Sequence, residues 1–296
     1  MLRPDRPMMA IAGYELARMS ARHGLDVHAF VLMSNHFHLL ATDERATRSD
    51  AMRDFCSGVA RARNRQLERC GYVWDGRGYH ETVVLDREAL ERKLVYVWMN
   101  PVRAGLVRCV RDWPGFTVLP EDWGKPVRVK RPQWYGRKSE EEVTFTPQPP
   151  PGYEHMELEE VRAHFNRLIE KAEAEEARQR GVRRVLGSTR AALVGVLSGP
   201  KTRAACERAP RYMASASADV TQAGERWRAF QNAYAHQRRR WKRGRRGGKF
   251  PAGTVWMPRH TAAQCEEYRG RVGCIAREGV RGGQEVDFKT MCRHTA

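Results

Sequence analysis

No Cys-x-x-Cys pair occurs in this chain, so the commonest zinc and redox spacings are excluded. Its seven cysteines, Cys56, Cys70, Cys109, Cys206, Cys265, Cys274 and Cys292, are odd in number and widely spaced. That pattern argues against a disulfide framework and for reduced thiols in a cytoplasmic protein. A site from Cys265, Cys274, Cys292 and His294 matches no standard zinc spacing. Long apolar runs are missing too. Stretches such as Ala191 to Leu197 are far too short to span a bilayer, and no signal peptide is visible, so no membrane partner is expected. No basic amphipathic helix with an aromatic face stands out, and no internal repeat. A Walker-type glycine loop is absent. Acidic residues are the minority: 35 Asp and Glu against 53 Lys and Arg, for a net charge of +18. A polyanionic partner follows from that imbalance, nucleic acid ahead of an acidic membrane.

The 296 residues suffice for one good core with an appendage, or for two small domains. Residues from Pro7 to Arg22 have a helix-compatible apolar pattern that Gly24 ends. Val27 to Met33 and His36 to Thr42 predict a hairpin turning at Ser34-Asn35. Asp50 to Cys70 predicts a helix capped by Ser49 or Asp50. A strand over Tyr79 to Leu85 and a helix from Arg87 to Asn100, capped by Asp86 and bounded by Pro101, complete the front part. Beyond it, prolines 114, 120, 126, 132 and 147–151 punctuate a charged stretch. Residues 122–153 there predict a linker, partly disordered and extended where the prolines cluster. Three charged helices follow, over Glu157 to Arg180, Arg183 to Leu197 and Gly224 to Arg240.

The chemistry-bearing residues are few. His36 and His38 alternate on a strand, so both face one side and can hold one cation while Phe37 turns to the core. Tyr96 and Asn100 are four apart and share a helix face. Taken singly, each residue has a plainer reading: polar strand positions, a core aromatic at the rim, a helix end before proline. Together they make a set in which Asn100 can complete a metal shell one turn from a phenol.

The run Val31-Leu32-Met33-Ser34-Asn35-His36-Phe37-His38-Leu39-Leu40 resembles the histidine–hydrophobe–histidine (HUH) strand of single-tyrosine HUH transposases. Tyr96-Val97-Trp98-Met99-Asn100-Pro101-Val102-Arg103-Ala104-Gly105-Leu106-Val107 is similar to the end of their catalytic helix, in the form typical of REP-associated tyrosine transposases. Between them, Gly71-Tyr72-Val73-Trp74-Asp75-Gly76-Arg77 resembles the family's glycine-tryptophan-arginine turn. The matches keep family order over roughly Ala10 to Trp113. The resemblance implies an α+β, ferredoxin-like domain with an antiparallel sheet and helices on one face. It implies His36, His38 and Asn100 as ligands of Mg²⁺ or Mn²⁺, and Tyr96 as the nucleophile that cuts single-stranded or hairpin DNA through a 5′-phosphotyrosine link. Catalysis by a monomer or a homodimer is compatible with it.

Two departures are visible. The family's sheet begins with a strand ahead of the first helix, and Met1-Leu2-Arg3-Pro4-Asp5-Arg6-Pro7 is a poor strand. Either the true start lies upstream, so that the N-terminus is truncated, or the sheet is incomplete, which would leave a gap beside the histidine strand. Ser34 also stands where the motif has proline. Farther on, Arg238, Arg239, Arg240, Trp241, Lys242, Arg243, Arg245 and Arg246 form the densest positive run. It reads either as a solvated, flexible segment or as a phosphate-tracking arm with Trp241 stacking on a base. The expected organisation is an HUH domain over 1–118, a proline-rich linker over 119–155 and a helical basic extension over 156–296. Its function would be DNA strand cleavage and transfer. The alternatives are a transposase-derived DNA-binding protein that no longer cuts, and a basic scaffold or RNA-binding protein.

Overall fold

The computed structural model describes residues 2–74, 79–193, 211–266, 273–279 and 289–292. Gly76 and Arg77 of the expected turn, and the end of the helix expected to reach Leu197, lie outside them. Side chains of the proposed cysteine-histidine zinc set also lie largely outside.

Helix α1 (Arg6–His23) starts at Asp5, whose carboxylate accepts the Met8 N–H at 2.8 Å. It stops at Gly24, which takes φ 65°, a left-handed conformation that costs a glycine little. Strands β1 (Leu25–Leu32) and β2 (Phe37–Asp43) form the expected antiparallel hairpin. Helix α2 (Arg48–Gln66) follows Thr47 and begins two residues before the expected Asp50, leaving Ser49 and Asp50 in its first turn, and it ends four residues before Cys70. Strand β3 (Tyr79–Val84) and helix α3 (Arg87–Arg103) follow, α3 capped by Asp86 as expected.

Along β1 and β2, alternate residues go to opposite faces of the sheet. Phe30, Leu32, Phe37 and Leu39 pack with α1 and α2 in one core. Val31, Met33 and Leu40 pack with α3 in the other. The fold is α+β, and helices cover both faces rather than one. Phe37 turns inward as its position requires, with its ring centroid 4.9 Å from Phe55 and 5.5 Å from Trp74.

The gap beside the histidine strand is filled. Strand β8 (Gly273–Gly279) pairs antiparallel with Phe37 to Leu39 of β2 and with all of β3. Strand β9 (Lys289–Cys292) pairs with the rest of β2. The sheet thus runs β4-β1-β2-β9-β8-β3-β7, with β4 (Thr117–Val118) and β7 (Arg211–Met213) at its edges. The expectation of an open gap fails because a segment distant in sequence supplies the strand. Residue 2 is no strand, yet it is anchored: the Leu2 N–H donates to the Ser34 carbonyl and its side chain is buried.

Where composition suggests an extended connection after residue 119, the structure shows β5 (Val127–Lys130) and β6 (Glu142–Phe145) paired over α1. Trp123, Phe145 and Tyr153 are buried in the two cores. The Trp123 indole N–H donates to the His28 carbonyl at 2.8 Å. Helix α4 (Leu158–Arg180) lays Val161, Phe165 and Ile169 against α3. After α5 (Ser188–Leu193) come β7, the long α6 (Ser217–Lys242) and α7 (Trp256–His260). Among the described residues, no helix is long and apolar enough to cross a membrane.

Candidate nuclease site

The hairpin turn sets the geometry. Met33 N–H donates to the His36 carbonyl at 2.8 Å, closing the Ser34-Asn35 turn without the proline. Asn35 Oδ1 lies 2.6 Å from His36 Nδ1. Because that oxygen only accepts, Nδ1 carries the proton and Nε2 keeps its lone pair. His36 Nε2 faces His38 Nε2 at 3.0 Å. Burial lowers the His36 pKa to about 4. Burial, then the nearby charges of His36 and Lys93, hold His38 well below the ordinary histidine range. Both rings are neutral at pH 7, the form that binds a cation.

Helix α3 brings the phenol to this pair. Its apolar stripe of Leu94, Val97, Trp98 and Val102 is buried against the sheet and α4, which fixes its rotation. Tyr96 then sits half-buried at the rim, with its ring centroid 5.9 Å from that of His38. Lys93 Nζ lies 4.1 Å from the Tyr96 centroid, and Arg103 Cζ 5.7 Å from it. These cations escape a motif search. Their signal is spacing, since Lys93 lies three residues before the tyrosine and Arg103 seven after it, both on its helix face. Lys93 is itself buried, and its ammonium is held beside the ring and His38.

Asn100 lies one turn past Tyr96, but its amide is engaged by its own helix. Nδ2 donates to the Tyr96 carbonyl at 2.7 Å and to the Val97 carbonyl at 3.3 Å. Pro101 lies inside α3 rather than ending it and has no N–H for the Val97 carbonyl four residues back. Asn100 covers that carbonyl. His36, His38 and Tyr96 therefore converge, with Asn100 adjacent and occupied.

Backbone register adds a feature of the sheet. Position 38 of β2 pairs with Glu278 of β8, and Glu278 pairs with His80 of β3, so three such positions form one row across the sheet. Among the described residues, no group of three or more His, Cys, Asp or Glu is arranged to hold a metal.

The basic run belongs to another part of the molecule. Arg238, Arg239, Arg240, Trp241 and Lys242 end α6, and Arg243, Arg245 and Arg246 continue into a turn. The turn is folded: Gly244 N–H donates to the Trp241 carbonyl and Arg245 N–H to the Arg240 carbonyl, each at 3.1 Å.

No protein-family model matches the chain, and no solved structure matches it. Among curated proteins it is similar to one of Haemophilus influenzae named "Putative REP-associated tyrosine transposase". Identity is 36% over 70 residues, which cover 21% of this chain and 39% of that relative. The match thus spans well under half of the relative's length.

Proposed function

We propose that this chain is a transposase-type nuclease that cuts single-stranded or hairpin DNA through Tyr96, with a divalent cation at His36 and His38. The observation that carries the reading is the convergence of two neutral imidazoles and one phenol from separate elements. The similarity to a protein named as a tyrosine transposase supports it. So does the order α1-β1-β2-α2-β3 with β8 between β2 and β3, which has the strand directions of a ferredoxin-like sheet.

The histidine pair fits Mg²⁺ or Mn²⁺. Its two Nε2 atoms face each other 3.0 Å apart on neutral rings, the donor form a cation needs. His36 and His38 would hold the ion. Asn100 would contribute its amide oxygen, since its nitrogen is spent on the helix. When bound, the cation neutralises charge on the scissile phosphate.

The protein's own groups do the rest. A phenol is weakly nucleophilic at neutral pH, and a cation beside it favours charge on its oxygen as the proton leaves. Lys93 and Arg103 supply that field and draw the phosphate to the rim. The Tyr96 oxygen attacks phosphorus and its proton passes to solvent. The bond from phosphorus to the 3′-oxygen breaks, and that oxygen takes a proton to leave a 3′-hydroxyl. Attack by a 3′-hydroxyl on the phosphotyrosine reverses the step without a nucleotide.

The test is a labelled single-stranded DNA carrying a hairpin, incubated with the protein and Mg²⁺ or Mn²⁺. A denaturation-resistant adduct is expected, and Tyr96→Phe removes it while leaving DNA binding intact. Binding without an adduct in the unaltered protein would favour the non-cutting DNA-binding alternative. An adduct that survives Tyr96→Phe would overturn Tyr96 as nucleophile.

A further inference from the structure

Helix α6 carries an aromatic face beside its basic end. Trp227, Phe230 and Tyr234 follow an i, i+3, i+7 spacing and share a side of the helix. Trp227 and Phe230 stack with centroids 5.6 Å apart and planes at 19°; Phe230 and Tyr234 stack at 6.1 Å and 18°. All are half-buried. One end of this ladder is anchored, because Tyr234 and Trp241 pack on the buried ring of Phe250 at 5.7 and 5.9 Å. The other end, at Trp227, extends along the helix away from that small core.

The cations are set at the anchored end. Buried Gln237 donates to the carbonyls of Gly247 at 3.2 Å and Gly248 at 2.9 Å, which folds the basic turn back onto α6. Arg246 Cζ lies 4.5 Å from the Trp241 centroid. Arg238, Arg239, Arg240, Lys242, Arg243 and Arg245 are exposed, and among the described residues none of them is ion-paired. A fixed positive cluster thus continues a row of stacked rings.

We propose that α6 and its basic turn form a binding site for single-stranded DNA distinct from the histidine-tyrosine site, with bases on Trp227 and Phe230 and phosphates along Arg238 to Arg246. It rests on the cleavage reading for the choice of DNA as the polyanion. Fourteen residues of helix separate Trp227 from Trp241, about 21 Å of path, enough for a short stretch of extended strand. Like charge opposes a second copy of the same module on this face. A membrane is disfavoured because α6 carries no Leu, Ile or Met to enter the acyl chains, and its rings are half-buried and stacked on one another. Gln237 is a positioning residue, which acts by holding the turn.

The test uses the full chain carrying Tyr96→Phe, without added divalent cation, and a short fluorescein-labelled oligothymidylate. Cleavage is then irrelevant, so failure here leaves the cleavage reading standing, and failure there leaves this one. Replacing Trp227 and Phe230 together by Ala is expected to weaken binding at least about tenfold with the salt slope unchanged. Trp227→Phe, which keeps a ring, retains most of the affinity. Replacing Arg239 and Arg240 by Ala flattens the slope of log affinity against log salt by about 1.4. The circular dichroism of each variant checks that α6 is intact. The proposal is overturned if the aromatic variant binds like its parent. It is also overturned if that variant loses only self-association, or if oligouridylate or anionic vesicles are bound more tightly than oligothymidylate.

Discussion

His28 shows how much a single buried side chain imposes on this protein. Its Nε2 lies 2.6 Å from Thr42 Oγ1 and its Nδ1 2.9 Å from the Gln148 carbonyl, so it ties β1 to β2 and to the proline-rich segment. Burial lowers its pKa from 6.5 to about 4. Between those values the unfolded chain binds the extra proton, so stability rises with pH across that window. The His28 contribution is complete above about pH 6.5 and lost as pH falls toward 4, amounting to about 2 kcal/mol by pH 5. His36 and His38 act in the same sense when no cation is bound. Urea unfolding at pH 7.5 and at pH 5 checks this. The unaltered protein should lose stability on acidification, and His28→Gln, though less stable at both, should lose about 2 kcal/mol less. A residue's neighbours decide what a sequence reveals of it. His36, His38 and Tyr96 were legible because alternation and helical spacing are local. The role of Asn100 in covering the Val97 carbonyl was hidden, because proline reads as a helix stop and α3 continues through it.

At the scale of elements, α1, the hairpin, α2, β3 and α3 were legible from apolar period and caps, with ends moved by up to four residues. The strand that completes the sheet was not. Gly273-Cys274-Ile275-Ala276-Arg277-Glu278-Gly279 has glycine at both ends and no strict alternation, so nothing local marks it as a strand. Its partners are Phe37 to Leu39 and Tyr79 to Val84, far away in sequence, and such pairing is invisible to local pattern. A consequence is testable. A chain ended after Glu266 leaves one edge of β2 and one of β3 without a partner strand. Loss of a few kcal/mol of pairing and burial should lower its thermal midpoint by about 5–10 °C and promote aggregation. Adding a peptide of residues 271–292 in excess should raise the midpoint again, with the logarithm of its concentration. A midpoint indifferent to the truncation would show that the β2 and β3 edges do not depend on this strand.

For the whole molecule, the question is whether the residues after 119 hang from the front domain or belong to its cores. Average composition says the former: the segment is proline-rich and charged, and composition counts residues without weighing them. Three aromatic side chains reverse the conclusion. Trp123 packs tilted against Trp98 at 6.0 Å and edge-on to Phe165 at 5.3 Å, so it lies where β1, α3 and α4 meet. Tyr153 packs on Phe165 at 5.2 Å, and Phe145 is buried on the α1 side. Wrapping the sheet this way lets α4 press on the helix that carries Tyr96, which couples the rotation of α3 to the chain beyond it. Trp123→Ala removes the shared anchor and its hydrogen bond to His28, a loss of about 3–5 kcal/mol for a fully buried aromatic. Limited proteolysis reads the result directly. The unaltered protein should resist cutting between residues 122 and 156, whereas Trp123→Ala should be cleaved there first, because the proline-rich segment then opens without global unfolding. Rapid cutting of the unaltered chain in this interval would mean that the segment is a tether after all, and that α4 does not hold the tyrosine helix in place.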